Sequence, residues 1–347
     1  MQNLLSRIKS YWLFIVLFLI VAVIVSVVIY LVLNTKGTTP GNTIPIPTPE
    51  EKIPTNKDSI ILLPVSQNSA YKNATFNVSF TDTLPTESPV YILSQADLST
   101  AFIQTTAKNF KFTTPAQKFE DSYAWNSQDL TASLSIGIKD GFINYTNTFT
   151  QAKPDSVDSI PMVTKPQDIV TGAKKILTDY KIDIQNTDMS NPVVTYFISY
   201  SEDPETTTDF SKANLFLVSF PRVVNGKKLY KQYGEALYTT ITFDRLYTVK
   251  QATYFAFQVR ELPNSTPLIS TEEFKRILID KKGIVRQPFS PLETVTSAVF
   301  TLTKATDGYL LDSASPYLVP IFIASGTVVL DNLPSQEAIV YSIAGKD

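Results

Sequence analysis

A chain of 347 residues with 44% apolar side chains can bury a sizeable core, and its 30 basic and 32 acidic residues leave a net charge of −2, no footprint for nucleic acid. It contains neither cysteine nor histidine, which removes disulfides, thiolate nucleophiles, imidazole metal sites and the Ser-His-Asp and Cys-His catalytic arrangements. With only 11 glycines, glycine-rich phosphate loops are not indicated either.

Residues 11–33 are interrupted only by Ser26 and the tyrosines Tyr11 and Tyr30. At 1.5 Å per residue they cover roughly 34 Å, enough for a hydrocarbon core of about 30 Å. Tyr11, Trp12 and Tyr30 sit where interfacial aromatics belong. The apolar run is too long for a signal peptide, and no small-residue cleavage site follows it. Arg7 and Lys9 precede it, whereas Lys36 alone follows closely. The positive-inside bias then predicts a single-pass cell-membrane protein, with residues 1–10 cytoplasmic and the C-terminal domain extracellular. A large external domain without disulfides points to a bacterial envelope. Residues 34–58 carry Pro40, Pro45, Pro47, Pro49 and Pro54. They read as a linker, either a semi-stiff spacer through a wall or simply a tolerated unfolded stretch.

The remainder predicts an α+β fold with antiparallel sheets and about three packed helices, divided into a smaller unit at 59–163 and a larger one at 164–347, with the boundary near Pro154–Pro161. The first helix is expected over 95–110, opened by Ser94 with Asp97 three residues later. The second starts at Thr164, with Pro166 in its first turn and Gln167 completing a capping box. Ile169, Val170, Ala173, Ile176, Leu177 and Tyr180 mark its buried face. The third opens with Ser270 and Glu273, buries Phe274, Ile277 and Leu278, and is expected to stop at Gly283.

Ala132, Leu134, Ile136 and Ile138 alternate up to Asp140-Gly141, predicting a two-residue hairpin that sets Ile138 against Ile143, Ile136 against Tyr145 and Ala132 against Phe149. Further strands are expected at 193–200, 214–220, 237–243, 249–259, 297–303, 317–324 and 338–343, with a second turn at Asn225-Gly226. Pro320 inside a strand pattern predicts an edge or a bulge.

Motifs with chemical potential are few. Ser69-Ala70-Tyr71-Lys72 matches the pattern of serine–lysine acyl enzymes, but it sits in a strand-and-loop context without companion motifs, and Ser6 and Lys9 repeat it beside the anchor. Glu202, Asp203, Glu205 and Asp209 form the densest acidic group, in a loop without the spacing of an EF-hand. Glu272 and Glu273 suit a helix N-terminus. Trp125, Tyr196, Tyr200, Tyr238, Tyr254 and Phe255 fall in strand patterns, where packing is the default role and a glycan platform the alternative. No catalytic, cofactor-binding or metal-binding residue is assigned.

The C-terminal half carries a resemblance. Leu215-Phe216-Leu217-Val218-Ser219-Phe220 leads to Val224-Asn225-Gly226 and then to Tyr254-Phe255-Ala256-Phe257. Leu268-Ile269-Ser270-Thr271-Glu272-Glu273-Phe274 and Tyr317-Leu318-Val319-Pro320-Ile321-Phe322 follow. This order resembles the YycH/YycI-type family of bacterial proteins, over residues 213–347 plus the anchor. The resemblance implies one membrane helix, an external α+β domain and restraint of a sensor histidine kinase, partly through membrane-helix contacts. It implies no catalytic residues, and it does not extend to the linker or to residues 59–163.

The leading expectation is therefore a non-enzymatic, membrane-anchored extracytoplasmic module that contacts the bilayer through residues 11–33 and regulates or binds another envelope protein such as a sensor kinase. The alternative is a surface adhesion or wall-binding protein, which an aromatic groove would favour. A hydrolase working with two carboxylates is the third reading, and it requires two acids facing each other about 5–10 Å apart.

Overall fold

The computed structural model describes residues 73–95, 98–138, 140–148, 162–199, 204–231, 235–286, 297–311, 317–331 and 334–346, all within one compact unit spanning 52–347. The expected anchor, the linker, the Ser69–Lys72 motif and the boundary at 154–161 lie outside them. Among the described residues no helix is long and apolar enough to cross a membrane.

The fold is α+β. Its elements begin with β1 (Thr75–Val78), β2 (Glu87–Gln95), α1 (Thr100–Asn109), β3 (Gln117–Lys118), β4 (Ser122–Asn126), β5 (Ala132–Gly137) and β6 (Phe142–Asn147). Then come α2 (Pro166–Asp179), β7 (Val193–Ile198), β8 (Glu205–Thr207), β9 (Leu215–Pro221), β10 (Val223–Val224), β11 (Lys227–Tyr230), β12 (Tyr238–Asp244) and β13 (Val249–Phe255). The last are β14 (Phe257–Pro267), α3 (Thr271–Ile279), β15 (Ile284–Val285), β16 (Ala298–Leu311), β17 (Tyr317–Leu330) and β18 (Gln336–Ile343).

The strands form two nine-stranded sheets. One runs β10-β11-β16-β17-β18-β15, with β1 also on β16 and β2 joining β17 to β14. The other runs β3-β4-β5-β6-β13-β12-β9-β7-β8. Pairing is antiparallel except where β1 and β11 lie parallel to β16. Strands from both expected units, 59–163 and 164–347, share each sheet: β6 pairs with β13, β1 with β16, and β2 with β14 and β17. Sheet membership therefore cuts across chain order.

Period-2 alternation makes one face of the second sheet apolar. Phe216, Val218 and Phe220 on β9 and Ile241 and Phe243 on β12 are fully buried, packed with Ile103 and Ala107 of α1 and with Ile169, Ala173, Ile176 and Leu177 of α2. In the first sheet, α3 sets Phe274 and Leu278 against Phe300, Phe322 and Val340, with the Phe274 and Phe322 rings 5.5 Å apart at 64°.

Local hydrogen bonding decides where each helix begins. α1 starts five residues later than the periodicity predicts, because β2 uses Ser94 and Gln95 in its ladder with Gln258 and Phe257. Ser99 is the cap, accepting from Phe102 N at 3.2 Å. In α2 the carboxylate that caps is Asp168, not the Gln167 amide: Asp168 Oδ2 accepts from Thr164 N (3.2 Å), Thr164 Oγ1 (3.0 Å) and Lys165 N (3.1 Å). α3 begins as expected, with Ser270 Oγ accepting from Glu273 N at 3.1 Å.

All three helices end alike. Lys111, Lys181 and Lys281 take left-handed φ values of 65°, 50° and 59°. Each closes a Schellman turn: Lys181 N donates to Thr178 O and Ile182 N to Leu177 O, with the same pairs repeated at Lys111–Phe112 and Lys281–Lys282. Lys281, rather than Gly283, thus stops α3; Gly283 instead lets Val340 and Leu278 pack closely. A lysine in this conformation is strained where glycine is not. Lys181→Gly is expected to raise unfolding free energy by about 0.5–1 kcal/mol, net of the extra freedom glycine gives the unfolded chain, while Lys181→Ala gains nothing. Urea midpoints compare the two; a loss with glycine would mean that the lysine side chain itself stabilises the turn.

Several strand expectations are corrected. The hairpin pairs Ile136 with Ile143, Leu134 with Tyr145 and Ala132 with Asn147, two residues away from the predicted register, and Phe149 lies outside the described residues. Asp140-Gly141 does not close a tight turn because its neighbours are engaged sideways. Ile138 N donates to Asp121 O, and the carbonyl of Gly141, a residue at φ 65°, takes Ala256 N–H at 2.8 Å. A slip of two preserves the pleat, so Ile136, Ile143 and Tyr145 keep the core face. The strand expected at 249–259 is two strands, β13 and β14, meeting at Ala256 and belonging to different sheets. Asn225-Gly226 does form the two-residue turn, both residues at positive φ, between β10 and β11.

Pro320 lies in neither an edge strand nor a bulge. β17 is flanked by β16 and β18, and Pro320 is buried opposite Tyr309. Its carbonyl accepts from Ala344 N at 2.9 Å, so its missing N–H faces the same side. There the neighbour of β17 changes from β18, ending at Ile321↔Ile343, to β2, beginning at Leu318↔Tyr91. Proline is tolerated because that junction asks for no ladder donor.

Candidate ligand-binding cleft

The ends of α1 and α2 converge at one end of the second sheet. The Schellman turn of α1 places Phe110 and Phe112 on either side of Lys111, and both rings reach Tyr145 on β6, at 4.8 Å stacked and 6.3 Å edge-on. The turn ending α2 places Tyr180 at its cap, 5.1 Å from Phe110 and 6.4 Å from Tyr145. Two helix termini thus deliver aromatic rings to one spot.

Two loops form the opposite rim. Between β4 and β5, Asp129 Oδ1 accepts from Ser127 Oγ (2.5 Å), Thr131 N (3.2 Å) and Thr131 Oγ1 (2.9 Å), while Ser127 Oγ accepts from Ala132 N (2.9 Å). Between β12 and β13, Asp244 Oδ1 accepts from Leu246 N and Thr248 N, both at 2.9 Å. Arg245 fixes the base of that loop by donating to the carbonyls of Ala213 (2.7 Å), Phe210 (2.6 Å) and Val163 (3.2 Å). The loop holds Tyr247 at φ 59°, a conformation that costs an aromatic residue on the order of 1–3 kcal/mol. Its ring stacks on Phe243 at 5.7 Å and lies against Gly172 of α2, where an added Cβ would come within 2.2 Å of it.

Together these segments line an open cleft of about 670 Å³, within the range of small-molecule sites. Phe110, Phe112 and Tyr145 are buried behind it, and Tyr180, Tyr247 and Leu246 remain partly exposed. Thr113, Thr114, Gln128, Asn147 and Thr248 supply neutral hydrogen-bonding groups. Asn147 also steadies the wall, donating to Val249 O at 3.2 Å and bonding the Tyr145 hydroxyl.

The tyrosines stay neutral. Burial, then Tyr180, pushes Tyr145 up to about 12. Tyr180 is raised by burial and by Asp179, and Tyr247 by burial and by Asp168. The Ser127 hydroxyl, then Thr131, holds the Asp129 carboxyl below its ordinary range, so it is ionised. Among the described residues lining the cleft, Lys111 is the one cation and Asp129 the one anion. That set can stack and hydrogen-bond a ligand. It does not provide the facing carboxylates that the hydrolase reading requires.

The residues singled out by pattern lie elsewhere. Glu205 is on β8. Asp209 accepts from Ser211 N (2.9 Å) and Ser211 Oγ (2.6 Å), which hold its carboxyl below the usual range, and pairs with Lys212 at 3.7 Å. Glu202, Asp203 and Tyr200 lie outside the described residues, among which no three acidic groups gather where they could hold a metal ion. Glu272 and Glu273 pair with Lys275 (2.9 Å) and Arg276 (3.9 Å). Trp125, Tyr254 and Phe255 are buried, Tyr238 is half-buried, and Tyr196 packs edge-on against Phe210 and Phe216. The aromatics that matter, Phe110, Tyr145, Tyr180 and Tyr247, come from four separate segments. The readable signal was the aromatic at the end of two helix patterns.

No protein-family model matches the chain, and no curated protein does. Among solved structures, the chain is similar to an uncharacterized protein from Eubacterium rectale, at 11% identity over 77% of this chain and 85% of that one, with a TM-score of 0.42.

Proposed function

We propose that the protein is a non-enzymatic, membrane-anchored module whose extracytoplasmic domain binds a component of the cell envelope in this cleft. The cleft carries the proposal: aromatic rings behind a hydrogen-bonding rim, on two loops that Asp129 and Asp244 each pin through Oδ1. Asp129 is the single acid among its described lining residues, and the chain has no histidine or cysteine to serve as base or nucleophile. The anchor at residues 11–33 supplies the tether, with the N-terminus cytoplasmic and the domain outside. The resemblance to the YycH/YycI-type family adds a second contact, in which that helix meets another envelope protein such as a sensor kinase.

In-cell photo-crosslinking separates the two contacts. A photoreactive residue at Thr113 or Gln128, both exposed on the cleft, is expected to capture an envelope component whether residues 11–33 are native or replaced by an unrelated membrane helix. Capture of a membrane protein only from the native anchor, with nothing from the cleft, would discard the cleft as the binding site and leave regulation through the helix.

A further inference from the structure

If the cleft is a ligand site, a reading on which everything below rests, three of its features select among ligands. First, the partly exposed rings of Tyr180 and Tyr247, the latter with one face already stacked on Phe243, border the cleft beside groups that donate and accept hydrogen bonds without charge. Second, all three bonds to the Asp129 carboxylate fall on Oδ1. This leaves Oδ2 of an ionised, rigidly held group to accept a short, charge-assisted bond from a hydroxyl. Third, Lys111 and Asp129 cancel, so the lining attracts neither polyanions nor polycations.

The sheet itself argues against an extended peptide. The cleft lies over β5, β6 and β13, each hydrogen-bonded on both sides, β5 to β4 and β6, β6 to β5 and β13, and β13 to β6 and β12. These three strands offer no free edge for main-chain pairing. What remains is a neutral molecule with apolar ring faces and many hydroxyls.

We propose that the cleft is a site for a neutral oligosaccharide, its ring faces stacked on Tyr180 and Tyr247 and its hydroxyls bonded to Asp129 and to the amides of Gln128 and Asn147. The strained Tyr247 backbone fits this role. The loop keeps an aromatic ring where glycine would sit without strain, and the ring is what a sugar face needs.

The test titrates the full-length protein in lipid nanodiscs, since glycoside detergents are themselves candidate ligands. The probes are neutral tetrasaccharides (β-1,4-linked N-acetylglucosamine, glucose and mannose), a peptide of residues 43–54, and the polyanion polygalacturonate. At least one neutral tetrasaccharide is expected to bind at millimolar or lower concentration. Tyr247→Gly, which relieves the backbone while removing the ring, and Asp129→Asn are each expected to weaken it by about tenfold or more. Melting curves confirm that both variants fold, and Gly226→Ala, in the β10–β11 turn of the other sheet and outside the cleft lining, should bind as the parent does. Binding of the peptide or the polyanion in place of the sugars would overturn the proposal, as would sugar binding indifferent to both variants, or no sugar binding at millimolar concentration. If the sugars fail while Thr113 and Gln128 still capture a component in cells, only the ligand class is wrong. If cleft capture fails as well, the cleft is not the binding site.

Discussion

Gly326→Val is expected to destabilise the fold by about 3–5 kcal/mol, lowering the melting temperature by roughly 10 °C. The reason is a backbone crossing. Opposite Gly326, β16 carries an extra residue, the pairing shifting between Leu302 and Lys304. An added Cβ at 326 would lie 1.9 Å from the Thr301 carbonyl oxygen and 2.9 Å from Leu302 Cα. Those atoms are main chain and cannot rotate away. The bulge is also pinned from its other edge, where Ser79 N donates to Leu302 O (2.9 Å) and Asp82 Oδ2 accepts the Ala305 amide (2.8 Å). Relief would have to break that pairing or push β16 and β17 apart. Gly226→Ala is the control: Gly226 has φ 76° but nothing within 4 Å of an added Cβ, so it should cost only about 1 kcal/mol. If the two variants melt within a degree or two of each other, the close approach is not what position 326 requires.

Stability should be flat from pH 6 to 9 and collapse between pH 10 and 12. With no histidine or cysteine, no side chain has an ordinary titration between the carboxylates near 4 and the tyrosines near 10. Above that, burial governs. Tyr145 and Tyr230 are each pushed up to about 12, by burial first and then by Tyr180 and Tyr238 respectively. Tyr91 rises to about 12 through burial, Tyr309 and Glu261, and burial raises Tyr254 further. A folded pKa above the unfolded value means that the unfolded chain releases its proton first. The stabilisation is therefore complete below pH 10 and lost as pH climbs through 12. A displacement of two units amounts to about 2–3 kcal/mol for each of Tyr145 and Tyr230. Burial lowers Arg222, which lies over the Phe257 ring, from its ordinary value, but a guanidinium stays charged across this range, so the tyrosines set the sign. Melting temperature against pH at constant ionic strength measures the balance. A shift of many degrees between pH 6 and 9, or none between 10 and 12, would contradict it.

What the amino-acid order disclosed were interactions closed within a few residues. The cap at Ser270–Glu273, the turn at Asn225-Gly226 and the buried stripe Ile169–Ala173–Ile176–Leu177 each need only their own neighbours, and each is found. The errors come where a distant strand competes. Ser94 is a good cap, yet it pairs with Gln258; Asp140-Gly141 is a good tight turn, yet Ala256 claims its carbonyl. β16 extends past the expected 303 because Thr303, Lys304 and Thr306 break the apolar pattern at the bulge without ending the ladder. The cleft was hidden for a related reason. Tyr145 and Tyr180 read as packing residues, Phe112 and Tyr247 carried no reading, and only the convergence of two helix ends and two loops makes them one wall with an exposed side.

Interleaving of the sheets has a consequence for how the chain reaches this state. β1 waits for β16, with Thr75 paired to Val299, and β2 for β14 and β17, with Tyr91 paired to Glu261 and Leu318. A chain emerging N-terminus first cannot complete the first sheet until its final strands are present, whereas β4, β5 and β6 can zip as local hairpins at once. Such distant closures raise contact order and slow the search. The earliest strands stay open to wrong partners for as long as the latest are missing. Folding is therefore expected to start in the helix-covered second sheet and to finish with the clasping of β16, β17 and β18 onto strands made long before them.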